Sequence, residues 1–113
     1  TLKGTELNHL FENIAACGGE GVSGVQLHIT KDGKLLRATV AGKPVVEDRM
    51  YTVATIDYLA DGNDGMTALI RAEKRECPQG ATLRSLFMDY VERQTAAGKK
   101  ITSRMEGRIT VED

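Results

Sequence analysis

The sequence predicts an α+β fold, with helices layered on a mixed or antiparallel sheet, and three observations predict it. Leu7, Leu10, Phe11, Ile14 and Ala15 recur at the i, i+3, i+4, i+7, i+8 spacing of one buried helix face. Residues 25–30 instead alternate, with Val25, Leu27 and Ile29 on one side and Gln26, His28 and Thr30 on the other, which is the period of a half-buried strand. Leu83, Leu86, Phe87, Tyr90 and Val91 return to helical spacing towards the other end. Helix, hairpin, strand, helix and strand in that order make an α+β arrangement.

Taken in order, Thr5 is of the residue type that caps a helix N-terminus, and Gly18 and Gly19 stop the first helix. Asp32-Gly33 tolerates the positive φ of a tight type I′ turn, so the strand at 25–30 and a returning strand at 35–40 form a hairpin. Residues 41–50 read as a loop around Pro44 with room for a short strand at Val45 and Val46. A strand follows over residues 51–56 and a short helix over residues 66–72. Cys77-Pro78-Gln79-Gly80 is a connector into the last helix, which ends near Gly98, and Ile109 and Val111 fit a final strand.

A chain of 113 residues falls within the size of one domain with a single modest core. Its formal charge of −1, from 15 basic and 16 acidic residues, and the scatter of its lysines and arginines argue against capture of nucleic acid, which needs a concentrated basic face. No apolar run reaches the length of a membrane span. Cys17 and Cys77 are too few for a disulfide framework and read as two unpaired thiols.

Chemistry concentrates in residues 51–66. A β-type run, Tyr51-Thr52-Val53-Ala54-Thr55, leads into Asp57-Tyr58-Leu59-Ala60 and then Gly62-Asn63-Asp64-Gly65. The ring of Tyr58 offers a flat face on which any nucleobase can stack. Asp64 presents a carboxylate that accepts two hydrogen bonds at once, matching the adjacent hydroxyls of a ribose. Gly62 and Gly65 permit positive φ and a close approach of backbone to ligand. The same residues also have structural uses: Tyr58 as a part-buried anchor of the loop, and Asp64 as an Asx-turn residue bonding its own backbone.

This stretch resembles the motif of the 5'-nucleotidase family's C-terminal domain, in which a Tyr-x-Val-Ala-Thr strand runs into Asn-Asp-Phe/Tyr-Leu-Ala-x-Gly-Gly-Asp-Gly. Leu2-Lys3-Gly4-Thr5-Glu6-Leu7 is similar to a family helix start, Val22-Ser23-Gly24-Val25 to a strand entry, and Glu106-Gly107-Arg108-Ile109 to the way these domains end. The resemblance is collinear over nearly the whole chain and corresponds to roughly the last two thirds of such a domain. The family's upstream Asn-Gly-Gly-Gly-Ile-Arg and Pro-Phe-x-Asn stretches do not occur in these 113 residues, nor do the Asp, His and Asn ligands of its metallophosphatase domain.

The resemblance implies a substrate-recognition role in a 5'-nucleotidase-type phosphohydrolase of nucleotide catabolism, in a periplasmic, secreted or cell-surface setting. By resemblance, Tyr58 is one wall of a base clamp and Asp64 contacts the ribose, with Gly62, Asn63, Gly65 and Asp57 completing the substrate-binding turn. Asn63 stands where the family has a second Gly; Asn is the non-glycine residue best suited to left-handed backbone. Asp57 replaces a family Asn and brings a negative charge beside the anionic ligand. No catalytic residue and no cofactor are expected in this chain, divalent metals being confined to the catalytic domain. The expected partners are a nucleotide or nucleoside and a metallophosphatase domain, in cis or as a separate chain. A non-enzymatic interaction module or accessory subunit that keeps the fold is the competing reading.

Other patterns carry less. Gly19-Glu20-Gly21-Val22-Ser23-Gly24 satisfies G-x-G-x-x-G but follows a helix and precedes a strand, the reverse of a dinucleotide site. Residues 61–65 superficially suggest a calcium loop, yet Met66 stands where that loop needs Gly and Ala72 where it needs Glu. His9 and His28 lack neighbours at metal-ligand spacing, and Ser23 reads as a turn residue. Arg71, Lys74 and Arg75 read as a solvated helix end.

Overall fold

The first helix begins at Gly4, one residue before the expected cap. In the computed structural model, which describes residues 1–77, 79, 82–100 and 106–112, β1 (Leu2–Lys3) runs directly into α1 (Gly4–Ala16), and no side chain caps it. Two backbone carbonyls do that work: Gly4 N–H donates to Arg49 O at 2.8 Å and Thr5 N–H to Glu47 O at 3.3 Å. Thr5 therefore lies inside the helix, because a docked loop satisfies the orphan donors that a cap would otherwise take. Tyr51 in turn fixes that loop, its hydroxyl oxygen accepting the Val46 N–H at 2.9 Å. At the other end Gly18 and Gly19 form a Schellman closure, with Gly19 N–H on Ile14 O and Gly18 N–H on Ala15 O, both 3.0 Å.

A four-stranded mixed sheet lies against α1. Its order is β4 (Lys43–Pro44), β3 (Leu35–Val40), β2 (Val25–Thr30) and β6 (Ile109–Glu112); β2 pairs antiparallel with β3 and parallel with β6. Pro44 sits on the edge strand, where a residue without an N–H is tolerated. A second, two-stranded antiparallel sheet joins β1 to β5 (Met50–Tyr51). The expected strand at 51–56 thus has ladder partners only at its start. The short strand of the 41–50 loop falls on Lys43–Pro44 rather than on Val45 and Val46.

The hairpin between β2 and β3 forms, but not on the expected turn. Gly33 has φ 85° while Asp32 stays at negative φ, and the loop is closed by Gly33 N–H to Thr30 O at 3.1 Å and Thr30 N–H to Lys34 O at 2.9 Å. Consecutive positive φ values occur instead at Ala41 (52°) and Gly42 (80°), which join β3 to β4. That is the backbone of a type I′ turn, and alanine is poorly suited to it. Ala41→Asn is expected to raise stability by about 0.5–1 kcal/mol; an unchanged urea midpoint would count against the assigned turn.

The core forms where the α1 face predicted from spacing (Leu7, Leu10, Phe11, Ile14, Ala15) meets Leu27 and Ile29 of β2 and Met66, Ala68 and Leu69 of the segment that follows. That segment, Thr67–Arg71, is the expected short helix, wound as 3₁₀. It is held to α1 by Asn13, whose Oδ1 accepts the Ala68 N–H at 3.0 Å. Arg71 then reaches back to Glu6, Nε to Oε2 at 2.6 Å, and His9 Nδ1 lies 3.4 Å from the same oxygen. The Arg71 hydrogen bond holds the Glu6 carboxyl below its usual value near 4.5, helped by His9 and opposed by desolvation.

A carboxyl whose pKa is lower folded than unfolded contributes stability that is present above the unfolded pKa and lost as pH falls through the folded one. Glu6→Gln is therefore expected to cost stability at neutral pH, with the gap from the parent closing as the pH is taken below about 4.5. Urea midpoints for both proteins across that range measure it, and a gap independent of pH would contradict the assignment.

The described residues divide into two compact units, Thr1–Arg75 with Gly107–Asp113, and Glu76–Glu106. Within the second, α3 (Leu83–Ala96) opens on a reciprocal cap: Thr82 Oγ1 accepts the Ser85 N–H and Ser85 Oγ accepts the Thr82 N–H, both at 3.0 Å. It closes at Gly98, φ 75°. None of its side chains is buried, and Leu83, Leu86, Phe87 and Tyr90 stand exposed. In the expected connector at 77–80, Pro78 and Gly80 lie outside the described residues.

Candidate functional site

Beyond β5 the chain stays extended to Ile56 and then coils into one short helical turn, α2 (Asp57–Ala60). Asp57 stands at its start, and its Oδ1 accepts the Tyr58 N–H at 2.8 Å, satisfying one of the orphan donors of the turn. Ala60 N–H to Ile56 O, Asp61 N–H to Asp57 O and Gly62 N–H to Leu59 O, each 2.9 Å, complete it. Gly62 at φ 90° reverses the chain into a 3₁₀ turn, Asn63–Gly65. A Cβ on Gly62 would also meet the end of the exposed Ile70 side chain, which can yield, so it is chiefly the conformation that calls for glycine there.

The reversal folds Asp64 back over α2. The Tyr58 hydroxyl lies 3.4 Å from Asp64 Oδ1, a long contact, and Tyr58 remains 48% exposed. Asn63 crosses the turn from the other side, its Nδ2 donating to Tyr58 O at 2.8 Å. Ring and carboxylate therefore sit side by side on the solvent-facing side of one loop. Leu59 and Met66 point the opposite way; Met66 is 2% exposed and belongs to the core. The Asx-turn foreseen for Asp64 does not form among the described residues. Tyr58 is about half covered, and the carboxylate of Asp64 bonds the Tyr58 hydroxyl rather than backbone of its own loop.

Asn63 is not the left-handed residue of this turn. Asp64 itself adopts left-handed backbone (φ 55°, ψ 29°) between Gly62 and Gly65 (φ 79°), while Asn63 stays at negative φ and uses its amide as a cross-link. The strain at Asp64 is braced by Cys17, whose thiol donates to Asp64 O at 3.2 Å from the C-cap of α1. Sequence reasoning gave Cys17 and Asn13 no role; nothing in local spacing reveals that the end of α1 passes under this loop.

The basic residues after the turn are engaged rather than merely solvated. Arg75 Nη1 pairs with Asp61 Oδ1 at 2.8 Å, and Arg71 with Glu6. Of the three carboxylates on the turn, Asp61 is balanced by this pair, whereas Asp57 and Asp64 face solvent with no cation against them among the described residues. Such a surface suits the hydroxyl-rich, uncharged part of a ligand better than a phosphate. An open apolar cavity of about 800 Å³ lies nearby, but its lining includes neither Tyr58 nor Asp64. Among the described residues no group of His, Cys, Asp and Glu is placed to hold a metal, and no helix is long and apolar enough to cross a membrane.

The chain resembles known proteins in sequence and in fold. Over 70 residues, 62% of its length, the chain is 37% identical to the cell wall protein Lmo0130 of Listeria monocytogenes, of which it spans 9%. The crystal structure of a 5'-nucleotidase precursor from Thermus thermophilus superposes on 97% of the chain with a TM-score of 0.77 and 27% identity, the match taking in 24% of that protein. The chain thus corresponds to a small part of either relative. Residues 1–71, which contain α1, strands β1 to β5 and the whole turn carrying Tyr58 and Asp64, match the family profile described as 5'-nucleotidase, C-terminal domain, and the chain belongs to that family.

Proposed function

We propose that this chain recognises the nucleoside part of a nucleotide, or of a related phosphoester, for a 5'-nucleotidase-type phosphohydrolase whose metal chemistry resides in a separate metallophosphatase domain. The observation that carries this reading is the pairing of Tyr58 with Asp64 on one braced turn. A base stacks on the exposed ring, and the ribose hydroxyls bond the Asp64 carboxylate, whose second oxygen has no partner among the described residues. Gly62 and Gly65 keep the backbone low beside the sugar, Asn63 holds the ring's own backbone in place, and Asp57 fixes the start of the turn. Binding energy from this non-reacting part of the substrate would serve to place the phosphate at the metals. Likeness to a cell wall protein supports a surface or secreted setting.

Titration of the chain with adenosine and uridine, followed by amide NMR shifts, tests the reading. Saturable shifts at residues 57–65 are expected for both nucleosides, because stacking is tolerant of base. Tyr58→Ala is expected to weaken binding by about 1–3 kcal/mol, the usual worth of base–aromatic stacking. Asp64→Asn should reduce affinity for the ribonucleoside while leaving that for the 2′,3′-dideoxynucleoside unchanged. No shift at millimolar nucleoside would favour the alternative, a module that keeps the fold for association alone.

A further inference from the structure

Tyr58 and Asp64 touch through the tips of their side chains. The Tyr58 hydroxyl donates to Asp64 Oδ1 across 3.4 Å, and the carboxylate has no other partner among the described residues. Stacking uses only the flat face of the ring, which phenylalanine would supply equally well. The hydroxyl therefore adds something that base recognition does not require, and the chemistry of the carboxylate decides what. Two neighbouring hydroxyls of a ribose are held best when each donates to its own oxygen of the pair. With the phenol on Oδ1, a sugar hydroxyl arriving there meets a second donor and shares the charge of its acceptor, whereas Oδ2 is open.

The contact is long for an O–H···O bond, so its persistence depends on how firmly its two ends are placed. Both are tied down. Asp57 Oδ1 accepts the Tyr58 N–H and Asn63 Nδ2 donates to Tyr58 O, each at 2.8 Å, which fixes the backbone from which the ring projects. Asp64 is set by its left-handed backbone (φ 55°) between Gly62 and Gly65, and by the Cys17 thiol on its carbonyl oxygen at 3.2 Å. Ring tip and carboxylate are thus brought together by the turn itself, before any ligand arrives.

We propose, resting on the nucleoside reading above, that the Tyr58 hydroxyl is a specificity-determining group: it stands in for one hydroxyl of the sugar at Asp64, so that the turn reads a single ribose hydroxyl through Oδ2. The ligand class is then wider than ribonucleosides. A monodeoxy sugar that keeps the hydroxyl read by Oδ2 is bound as well as ribose, and phenylalanine at position 58 would return both oxygens to the sugar and narrow the class.

The test is titration of the full chain and of its Tyr58→Phe variant with adenosine, 2′-deoxyadenosine, 3′-deoxyadenosine and 2′,3′-dideoxyadenosine, read by amide NMR shifts at residues 57–65. In the parent, one monodeoxy nucleoside is expected to bind within about twofold of adenosine and the other to fall to the level of the dideoxy compound, at least about tenfold weaker, the usual worth of one hydrogen bond to a charged group. In Tyr58→Phe, which keeps the stacking face, both monodeoxy nucleosides should fall below adenosine. A hydroxyl with a merely structural role would change all four affinities by one factor and leave their ratios as in the parent, and that result would overturn the proposal. So would a parent that loses affinity when either sugar hydroxyl is removed, or one that binds all four nucleosides equally; nucleoside binding itself survives in each of these cases. An absence of shifts with all four at millimolar concentration would overturn the nucleoside reading and the proposal together.

Discussion

Replacing Gly4 by alanine is expected to destabilise the chain by about 3 kcal/mol, the upper part of the range for overpacked sites. Gly4 is the first residue of α1 and is buried, and a Cβ there would overlap the carbonyl group of Val46 and crowd the Cα of Glu47. These are backbone atoms, so no rotamer change can make room. The loop would have to withdraw, breaking the Gly4 and Thr5 hydrogen bonds to Arg49 and Glu47 and exposing the N-terminus of α1. Urea denaturation measures the loss. Tyr51→Phe, which removes only the acceptor of the Val46 N–H, should give a smaller loss in the same direction. A Gly4→Ala protein as stable as the parent would mean that the loop does not pack on the helix as described.

Gly62→Ala is the second large effect and concerns the site. At φ 90° an L-residue is strained by about 1–2 kcal/mol, partly offset by the lower entropy of the unfolded chain. The new methyl also meets the side chain of Ile70, which is flexible and can yield. A net loss of about 1–2 kcal/mol is therefore expected, with a further consequence that Gly4→Ala lacks. Gly62 sets the angle at which Asn63 and Asp64 return over Tyr58, so nucleoside affinity should fall with stability. Under conditions where both variants are folded, Gly4→Ala should bind nucleoside like the parent and Gly62→Ala should not. If both bind equally, the turn is not the recognition element.

The ionic contacts around the turn act differently from these glycines. Arg75–Asp61 is a half-exposed pair of the kind that contributes little to stability, whereas in Arg71–Glu6 the carboxylate side is more covered. Arg75 neutralises Asp61 on the turn and Arg71 is held at Glu6 of α1, so Asp57 and Asp64 are left without a cation against them among the described residues.

The glycines of the turn, the residue types that follow them and the collinear motifs were all readable in the sequence, because they report local backbone chemistry. So was the buried face of α1, since helical period alone decides which side chains share a face. What the sequence did not disclose was the source of partners for that chemistry. The N-terminus of α1 is closed by loop carbonyls rather than by Thr5, and the positive φ values fall on Ala41 and Asp64 rather than on Asp32 and Asn63. Asp64 is braced by Cys17, 47 positions away.

By itself, then, the sequence determined the α+β class, the helix and hairpin that build the core, and the family of the turn, since spacing and residue type act over a few neighbouring positions. Tertiary structure alone decided that Tyr58 and Asp64 meet on an exposed face, and that the end of α1, with Cys17, passes beneath their turn. Those outcomes depend on which distant backbone groups come within hydrogen-bond reach, and periodicity along one segment cannot encode the position of another.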